Sequence, residues 1–295
     1  MPSRIGFVGL GMMGSAMASR LEDTGTALAV YSRTRDHALP YVERGALLCK
    51  NPAEVAQSSA IVVSMISTPE VLEAISLTDD GILSGLPDGA VHIDCSTVSP
   101  EVTGRLQRIY GERTRLFLAC PVLGSVPQAR EGELLLFAGG SEEAYRRSEQ
   151  YLKKLGRRTW RFDHASEASY LKLLCNSFIA GTMTTLAQAL VVARAAGVKA
   201  ETLLEVIGQS AMNSPMIQSK GASVVAGNFT PRFFAEHMLK DISLLLEAAR
   251  PLGCELPALE ASRLMYEKTV AQGHGKEDYS AIIRILETGR NSRPR

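Results

Sequence analysis

The sequence predicts two domains: an α/β domain with a doubly wound, mostly parallel sheet over residues 1–163, and an all-helical domain over residues 164–295. Three observations predict it. Apolar, β-branched runs of strand length alternate with helix-start signals through the first half. A glycine-rich turn joins the first of those runs to a helix-like run. After about residue 163 the strand-length runs stop and a period near 3.6 replaces them. A length of 295 residues suits two domains of roughly 150 residues each.

In chain order, the predicted strands are RIGFVG, ALAVYS, AIVVSMI, AVHIDCS, RLFLAC, LLLFAG and RTWRF. Between most of them lies a capping residue followed by proline or acid in the first turn: Thr68-Pro69-Glu70, Ser99-Pro100-Glu101, Ser141-Glu142-Glu143. Strands separated by helices at this spacing build a parallel sheet with helices on both faces. The second half reads as helix over 166–196, 200–208, 239–250 and 257–272, with amphipathic spacing plain in ETLLEVI and DISLLLEAA. The boundary falls near Asp163–Ser166. There is no internal repeat, and the tail TGRNSRPR reads as a loose polar end.

Composition narrows the function classes. With 45% hydrophobic and 21% charged residues the chain can build a large core. A net charge of +1 provides no global field for nucleic acid or an anionic membrane, so neither is expected as a partner. Five scattered cysteines without a CxxC read as reduced core thiols in a cytoplasmic protein. The five histidines show no metal-ligand spacing, and no metal is expected. MPSRIG lacks the long apolar core of a signal peptide. The apolar stretch LLCNSFIAGTMTTLAQALVVA (173–193) has the length of a membrane span, but Asn176, three threonines and Gln188 favour a buried helix.

The stretch IGFVGLGMMGSAMASRL (5–21) carries the first chemical signal. GxGxxG alone is weak evidence, but here it follows an apolar run and opens a run with Met13, Ala16, Met17 and Leu21 on one face. Gly9 permits the tight turn, Gly11 lets the backbone approach a pyrophosphate, and Gly14 lets helix and strand pack closely; Leu10, Met12 and Met13 lie between them. The helix start then offers backbone N–H groups to phosphates. This is the Rossmann-type arrangement for a dinucleotide. An NAD site places an acid about 20 residues on, at the end of the second strand. That strand ends in Ser32-Arg33-Thr34 instead, and Arg33 can pair with a 2′-phosphate, so NADP(H) is preferred over NAD(H). The competing reading of Arg33 is a solvated loop arginine.

Seven blocks then resemble the β-hydroxyacid dehydrogenases, the family of 3-hydroxyisobutyrate dehydrogenase and the glyoxylate/succinic semialdehyde reductases. They are GFVGLGMMGSAMA, SRT, DCSTVSP (94–100), PVLGSVPQAREGEL (121–134), YLKLLCN (170–176), LKDISL (239–244) and EDYSA (277–281), in order and over nearly the whole chain. The resemblance implies an active site in a cleft between a Rossmann-type domain and a helical domain. It implies that Ser96 bonds the substrate, that Thr97 faces the nicotinamide, and that Met65 and Ile66 form a cofactor-contacting turn, for which ordinary core packing is the alternative. Ser96 and Thr97 follow a strand, at the end where open α/β sheets bind ligands, and Ser99 is the natural helix cap there.

Lys172 and Asn176 share a face of an apolar helix at i, i+4. Hydride exchange between an alcohol and a carbonyl needs a proton moved in the same step, and a lysine whose pKa is lowered by burial or a nearby cation can move it. By resemblance Lys172 does this work and Asn176 orients the substrate oxygen or the lysine. Lys240 lies by resemblance near both nicotinamide and substrate. Asp241 is read by resemblance as part of the site, with an N-terminal helix charge as the alternative, and Asp278 reads equally as a site acid or a helix-start acid. The loop at Leu123, Gly124 and Ser125 is assigned to the substrate, but it departs from the family block PVSGG…GAxxGTL. Leu123 replaces a serine, Ser125 and Gln128 replace glycines and Glu133 a threonine, which points to a less polar substrate or a differently held acid group.

The leading expectation is therefore an NADP(H)-dependent oxidoreductase of a short β-hydroxy acid or its semialdehyde or keto form. An imine reductase is the alternative enzyme; those relatives usually lack the lysine found here at 172. A non-catalytic NADP-binding scaffold is the third reading. At about 1.5 Å per residue the helix over 171–196 would span roughly 39 Å, long enough to bury surface against a second subunit, so a homodimer or homotetramer is expected.

Overall fold

The computed structural model describes residues 4–291. The chain divides into two compact units, one ending at Lys172 and the other beginning at Leu173.

The first unit runs β1 (Arg4–Val8), α1 (Met12–Asp23), β2 (Leu28–Tyr31), α2 (Leu39–Glu43), β3 (Leu47–Leu48), α3 (Pro52–Gln57), β4 (Ser59–Ser64), α4 (Pro69–Leu77), α5 (Ile82–Gly85) and β5 (Val91–Asp94). It continues with α6 (Pro100–Glu112), β6 (Leu116–Ala119), β7 (Val122–Leu123), α7 (Val126–Glu131), β8 (Leu134–Gly140), α8 (Glu142–Leu155) and β9 (Gly156–Phe162). The strands form one sheet in the order β3-β2-β1-β4-β5-β6-β8-β7, with β9 against β8. Pairing is parallel from β3 to β6 and between β8 and β9, and antiparallel where β8 meets β6 and β7. All seven predicted strands are present. They were legible because helices cover both sheet faces, so the strands read as continuous apolar runs; Phe7, Val30, Val62, Val63 and Ile93 are fully buried. The two-residue strands β3 and β7 are too short to show any period.

The predicted caps form. Thr68, Ser99 and Ser141 accept hydrogen bonds from the N–H groups of Val71, Val102 and Ala144 at 3.4, 3.3 and 3.2 Å. The register aligns the carboxyl ends of the central strands: Val8 lies beside Tyr31 and Ser64, and Ser64 beside Asp94. From β1 the chain winds outward through β2 to β3, then returns and winds the other way through β4, β5 and β6. The crevice between the ends of β1 and β4 is thus the switch point where open α/β sheets bind ligands.

α9 (Ala165–Ala195) follows. Its first two turns belong to the α/β unit: the Ala165 N–H donates to Gln107 Oε1 at 2.8 Å, and the Thr103 and Ser169 hydroxyls meet at 3.0 Å. By its contacts the α/β unit therefore extends past the loop near residue 163 into the first turns of a continuous helix.

The second unit holds the rest of α9 with α10 (Ala200–Gly208), α11 (Pro215–Val225), α12 (Ala235–Ala249), α13 (Pro257–Thr269) and α14 (Ile282–Asn291). α12 begins four residues before its predicted start. α11 and α14 were not predicted, though Ser214-Pro215 is a start signal and Ser214 does cap α11. α14 runs into the segment expected to be a loose tail, and residues 292–295 lie outside the described residues. α9 is long and apolar enough to cross a membrane by length and composition. One face of it, with Leu173, Ala180, Met183, Leu186 and Leu190, builds the core of the helical unit, while Leu174, Phe178 and Val192 are exposed. Of the cysteines, Cys49, Cys95 and Cys120 are buried and Cys254 is exposed.

Candidate active site

The glycine motif forms one wall of the switch-point crevice. Gly9 adopts φ +94°, and a Cβ there would come within 2.3 Å of the Met65 carbonyl oxygen. A Cβ on Gly14 would meet the Gly9 carbonyl oxygen at 2.0 Å, so α1 can start this close to β1 only with glycine at 14. Gly11 is exposed, with nothing within 4 Å of where its Cβ would stand. No side chain caps α1, whose first-turn N–H groups are left for a ligand. Open backbone over Gly11 beside an uncapped helix start fits a dinucleotide pyrophosphate. Leu10 and Gly14 are buried, Met12 is exposed and Met13 half-buried.

After β2, Ser32 is half-buried while Arg33 and Thr34 are exposed. A cavity of about 440 Å³ is lined by Leu10, Gly11, Met12, Asp36, His37 and Arg44, among others. Arg44 pairs with Glu22 at 2.6 Å and lies over the Tyr41 ring. The sequence reading missed Asp36 and His37. They sit in a short 3₁₀ turn (Arg35–His37) beyond the strand end, where the expected acid was sought and not found.

Across the crevice, the half-buried Met65 and Ile66 form the turn after β4, and a buried polar network stands behind it. Ser64 and Ser96 both donate to Asp94 Oδ1, at 2.7 and 2.6 Å, and Ser96 Oγ accepts from the Ile66 N–H at 2.9 Å. Ser64 Oγ lies 2.8 Å from His92 Nε2, and His92 Nδ1 2.8 Å from the Tyr110 hydroxyl. Because Ser64 gives its one hydrogen to the carboxylate, it accepts from Nε2–H; Nδ1 then accepts from Tyr110. Ser96 is buried and Thr97 half-buried. The signal that could have revealed this network is alternation: His92 and Asp94 in β5 and Ser96 just beyond its end fall at every second residue.

Burial pushes the His92 pKa down to about 3, from an ordinary value near 6.5, and pushes Tyr110 up. Between those two pH values the unfolded chain binds a proton that the folded chain refuses. Stability contributed by neutral His92 is therefore full above about pH 6.5 and falls as pH drops toward about 3. Thermal melts between pH 7 and 4.5 should show His92→Gln losing less stability with acid than the wild type. Equal acid slopes in the two proteins would contradict the assignment.

The loop expected to meet substrate begins in β7, where half-buried Leu123 lies opposite Leu135. Gly124 is exposed in the bend. Ser125 caps α7 by exchange with Gln128: its N–H and hydroxyl both donate to Gln128 Oε1, at 3.0 and 2.5 Å. Two of the departures from the family block are thus partners of each other.

On α9, Lys172 and Asn176 stand one turn apart and both are buried. Within the helical unit, the Asn176 amide donates to Asp241 Oδ2 at 2.6 Å, and Lys240 Nζ lies 2.9 Å from Asp241 Oδ1. Asp241, 1% exposed, thus ties Asn176 to Lys240 and turns the Asn176 NH₂ toward itself and the carbonyl oxygen away. His237, one turn before, was missed by the sequence reading. Burial holds its pKa below the ordinary value, and the Lys240 ammonium adds to this. Asp278 is engaged elsewhere. Its carboxylate takes two contacts from Lys220 Nζ, at 2.7 and 2.8 Å, with the Arg232 N–H, the Ser280 N–H and the Ser280 hydroxyl. Among the described residues, no group of three or more His, Cys, Asp or Glu is placed to hold a metal ion.

The switch-point crevice, the glycine turn and the open helix start define an NAD(P)-binding oxidoreductase fold. Comparison with known proteins agrees. The family model for the NAD-binding domain of 6-phosphogluconate dehydrogenase matches residues 4–165, and that for the NAD-binding domain of NADP-dependent 3-hydroxyisobutyrate dehydrogenase matches residues 166–286. The chain belongs to the β-hydroxyacid dehydrogenase family. It is 29% identical over 286 residues to glyoxylate/succinic semialdehyde reductase 1 of Arabidopsis thaliana, covering 97% of this chain and 99% of that protein. The crystal structure of 3-hydroxyisobutyrate dehydrogenase from Salmonella typhimurium superposes with a TM-score of 0.87 at 25% identity, covering 96% of this chain and 99% of that one. The human cytokine-like nuclear factor N-PAC is 28% identical over 281 residues, 95% of this chain but 51% of that protein.

Proposed function

We propose that the protein is an NADP(H)-preferring dehydrogenase or reductase that interconverts a short β-hydroxy acid and its semialdehyde or keto form, with Lys172 as the proton relay. The observation that carries this reading is the make-up of α9 and α12: a buried lysine, an asparagine one turn on, and a buried Asp241 that fixes the asparagine and pairs with Lys240. The nicotinamide, when bound, supplies or accepts the hydride. In reduction Lys172 gives a proton to the carbonyl oxygen as it gains charge; in oxidation it takes the hydroxyl proton. Asn176, held by Asp241, orients the reacting oxygen or the lysine. Lys240 balances the substrate's acid group. Leu123 makes the substrate end of the site less polar than a serine would. The Gly9–Gly14 turn holds the pyrophosphate, and Arg33 pairs with the 2′-phosphate.

The test follows the oxidation of NADPH as it reduces small aldehydes, keto acids and semialdehydes, repeated with NADH. Turnover of at least one such carbonyl is expected, with NADPH favoured about tenfold or more in kcat/KM and that preference lost in Arg33→Ala. Reduction of cyclic imines alone would replace this reading with an imine reductase.

The helical unit also carries an apolar groove of about 890 Å³ lined by Leu174, Phe178, Leu203, Met212, Leu245 and Leu256, among others, with Phe178 77% exposed. Patches of this kind mark interaction sites. A second copy of the chain is the proposed partner, and sizing chromatography at micromolar concentration should return a dimer or tetramer. A monomer peak would count against it.

A further inference from the structure

We propose that Ser96 is a positioning residue for the dinucleotide rather than a substrate ligand, and that Asp94 is its anchor: together they clamp residues 64–66, the wall of the crevice that faces the glycine turn. The proposal rests on the reading that the dinucleotide binds in that crevice; it does not depend on the substrate or on turnover.

A serine hydroxyl has one hydrogen. Here it goes to Asp94 Oδ1, 2.6 Å away, and the oxygen already accepts from the Ile66 N–H at 2.9 Å. With its side chain 1% exposed, Ser96 has its donor and one of its two lone pairs engaged inside the protein. A substrate carboxylate or carbonyl needs a donor, and Ser96 has none left to give. What it does instead is fix Ile66. The preceding residue, Met65, sets its carbonyl oxygen over Gly9, at the spot where a Cβ would stand 2.3 Å away. Movement of the 65–66 turn by a few tenths of an ångström therefore changes the space above the glycine turn directly.

The same carboxylate oxygen holds Ser64, the last residue of β4, at 2.7 Å. β4 is thus tied to Asp94 twice, through its final residue directly and through Ile66 by way of Ser96. Behind it, the chain Tyr110–His92–Ser64 delivers its hydrogens in one direction, toward the carboxylate. Nothing in this arrangement leaves Ser96 free to turn toward a ligand without taking its acceptor from the half-buried Ile66 N–H.

The test uses the full-length protein and whichever of NADPH or NADH the wild type binds more tightly, titrated by the fluorescence of the reduced nicotinamide. Ser96→Ala should raise Kd about tenfold, the effect of the part-buried Ile66 N–H left without its acceptor. Asp94→Ala should raise it at least as much, and the double variant no further than Asp94→Ala alone. Asp94→Asn, whose amide oxygen still accepts from both hydroxyls, should stay within about threefold of wild type. Circular dichroism and Tm are recorded for each. If Asp94→Ala does not fold, Ser96→Ala, which removes a single oxygen, decides the matter. A wild-type Kd in Ser96→Ala overturns the proposal; a rise in substrate KM alongside it would return Ser96 to the substrate. A wild type that binds the nucleotide but reduces no carbonyl defeats the proposed function and leaves this measurement intact.

Discussion

Lys172→Ala should bind NADPH as tightly as the wild type and lose turnover by about a hundred- to ten-thousand-fold, the range a positioned proton donor contributes. The lysine is buried on α9. The glycine turn and α1 belong to another part of the chain, and removing an amine on α9 leaves their backbone unchanged. Stopped-flow measurement of hydride transfer at several pH values separates the roles. If Lys172 moves the proton, the pH dependence of the transfer step changes shape in the variant and exogenous primary amines restore part of the rate. If Lys172 only holds substrate, KM rises and kcat at saturation survives. Unchanged turnover in the alanine variant would remove the proposed chemistry altogether.

The largest expected effect on stability comes from Asp278→Ala, at about 3–5 kcal/mol. Asp278 is 2% exposed and Lys220 9%, and the carboxylate satisfies the ammonium, two backbone N–H groups and a hydroxyl. Without it the ammonium stays buried, 4.5 Å from the centroid of the Tyr279 ring, with no carboxylate to balance its charge. The start of the Tyr279–Ala281 turn also loses its cap. On the usual scaling this lowers Tm by about 10 °C. Replacing both partners, as Lys220→Met with Asp278→Leu, should recover much of the loss, since no charge is then stranded. A melting temperature within 2–3 °C of wild type in Asp278→Ala, on that same scaling, would show the pair to be dispensable.

How far the sequence was legible follows from where each interaction lies. The seven long strands announced themselves because both sheet faces are covered, and the glycine turn because Gly9 and Gly14 each stand where a Cβ would meet a backbone carbonyl, with Gly11 open between them. The caps at Thr68, Ser99 and Ser141 are local and could be read locally. β3 and β7 are two residues each, below any periodic signal. α11 carries Lys220 and Gly221 mid-helix, which break its apolar stripe, and the reason for Lys220 lies 58 residues away at Asp278. Asn176 and Asp241 are 65 residues apart, so their contact had no local trace, and a helix-start charge stayed open as a reading of Asp241. Ser96 was placed beside the substrate by resemblance, whereas the direction of its hydrogen bonds depends on Asp94 and Ile66 together, which only coordinates reveal.

The Ser125–Gln128 exchange has a consequence for anyone wishing to retune substrate range. Glycine at position 125 alone would take away the hydroxyl but leave the backbone N–H donating to Gln128 Oε1; glycine at 128 alone would leave both Ser125 donors without their receiver. A mutant library that changes the two positions jointly therefore moves between the two loop designs without passing through a state in which either partner is left alone.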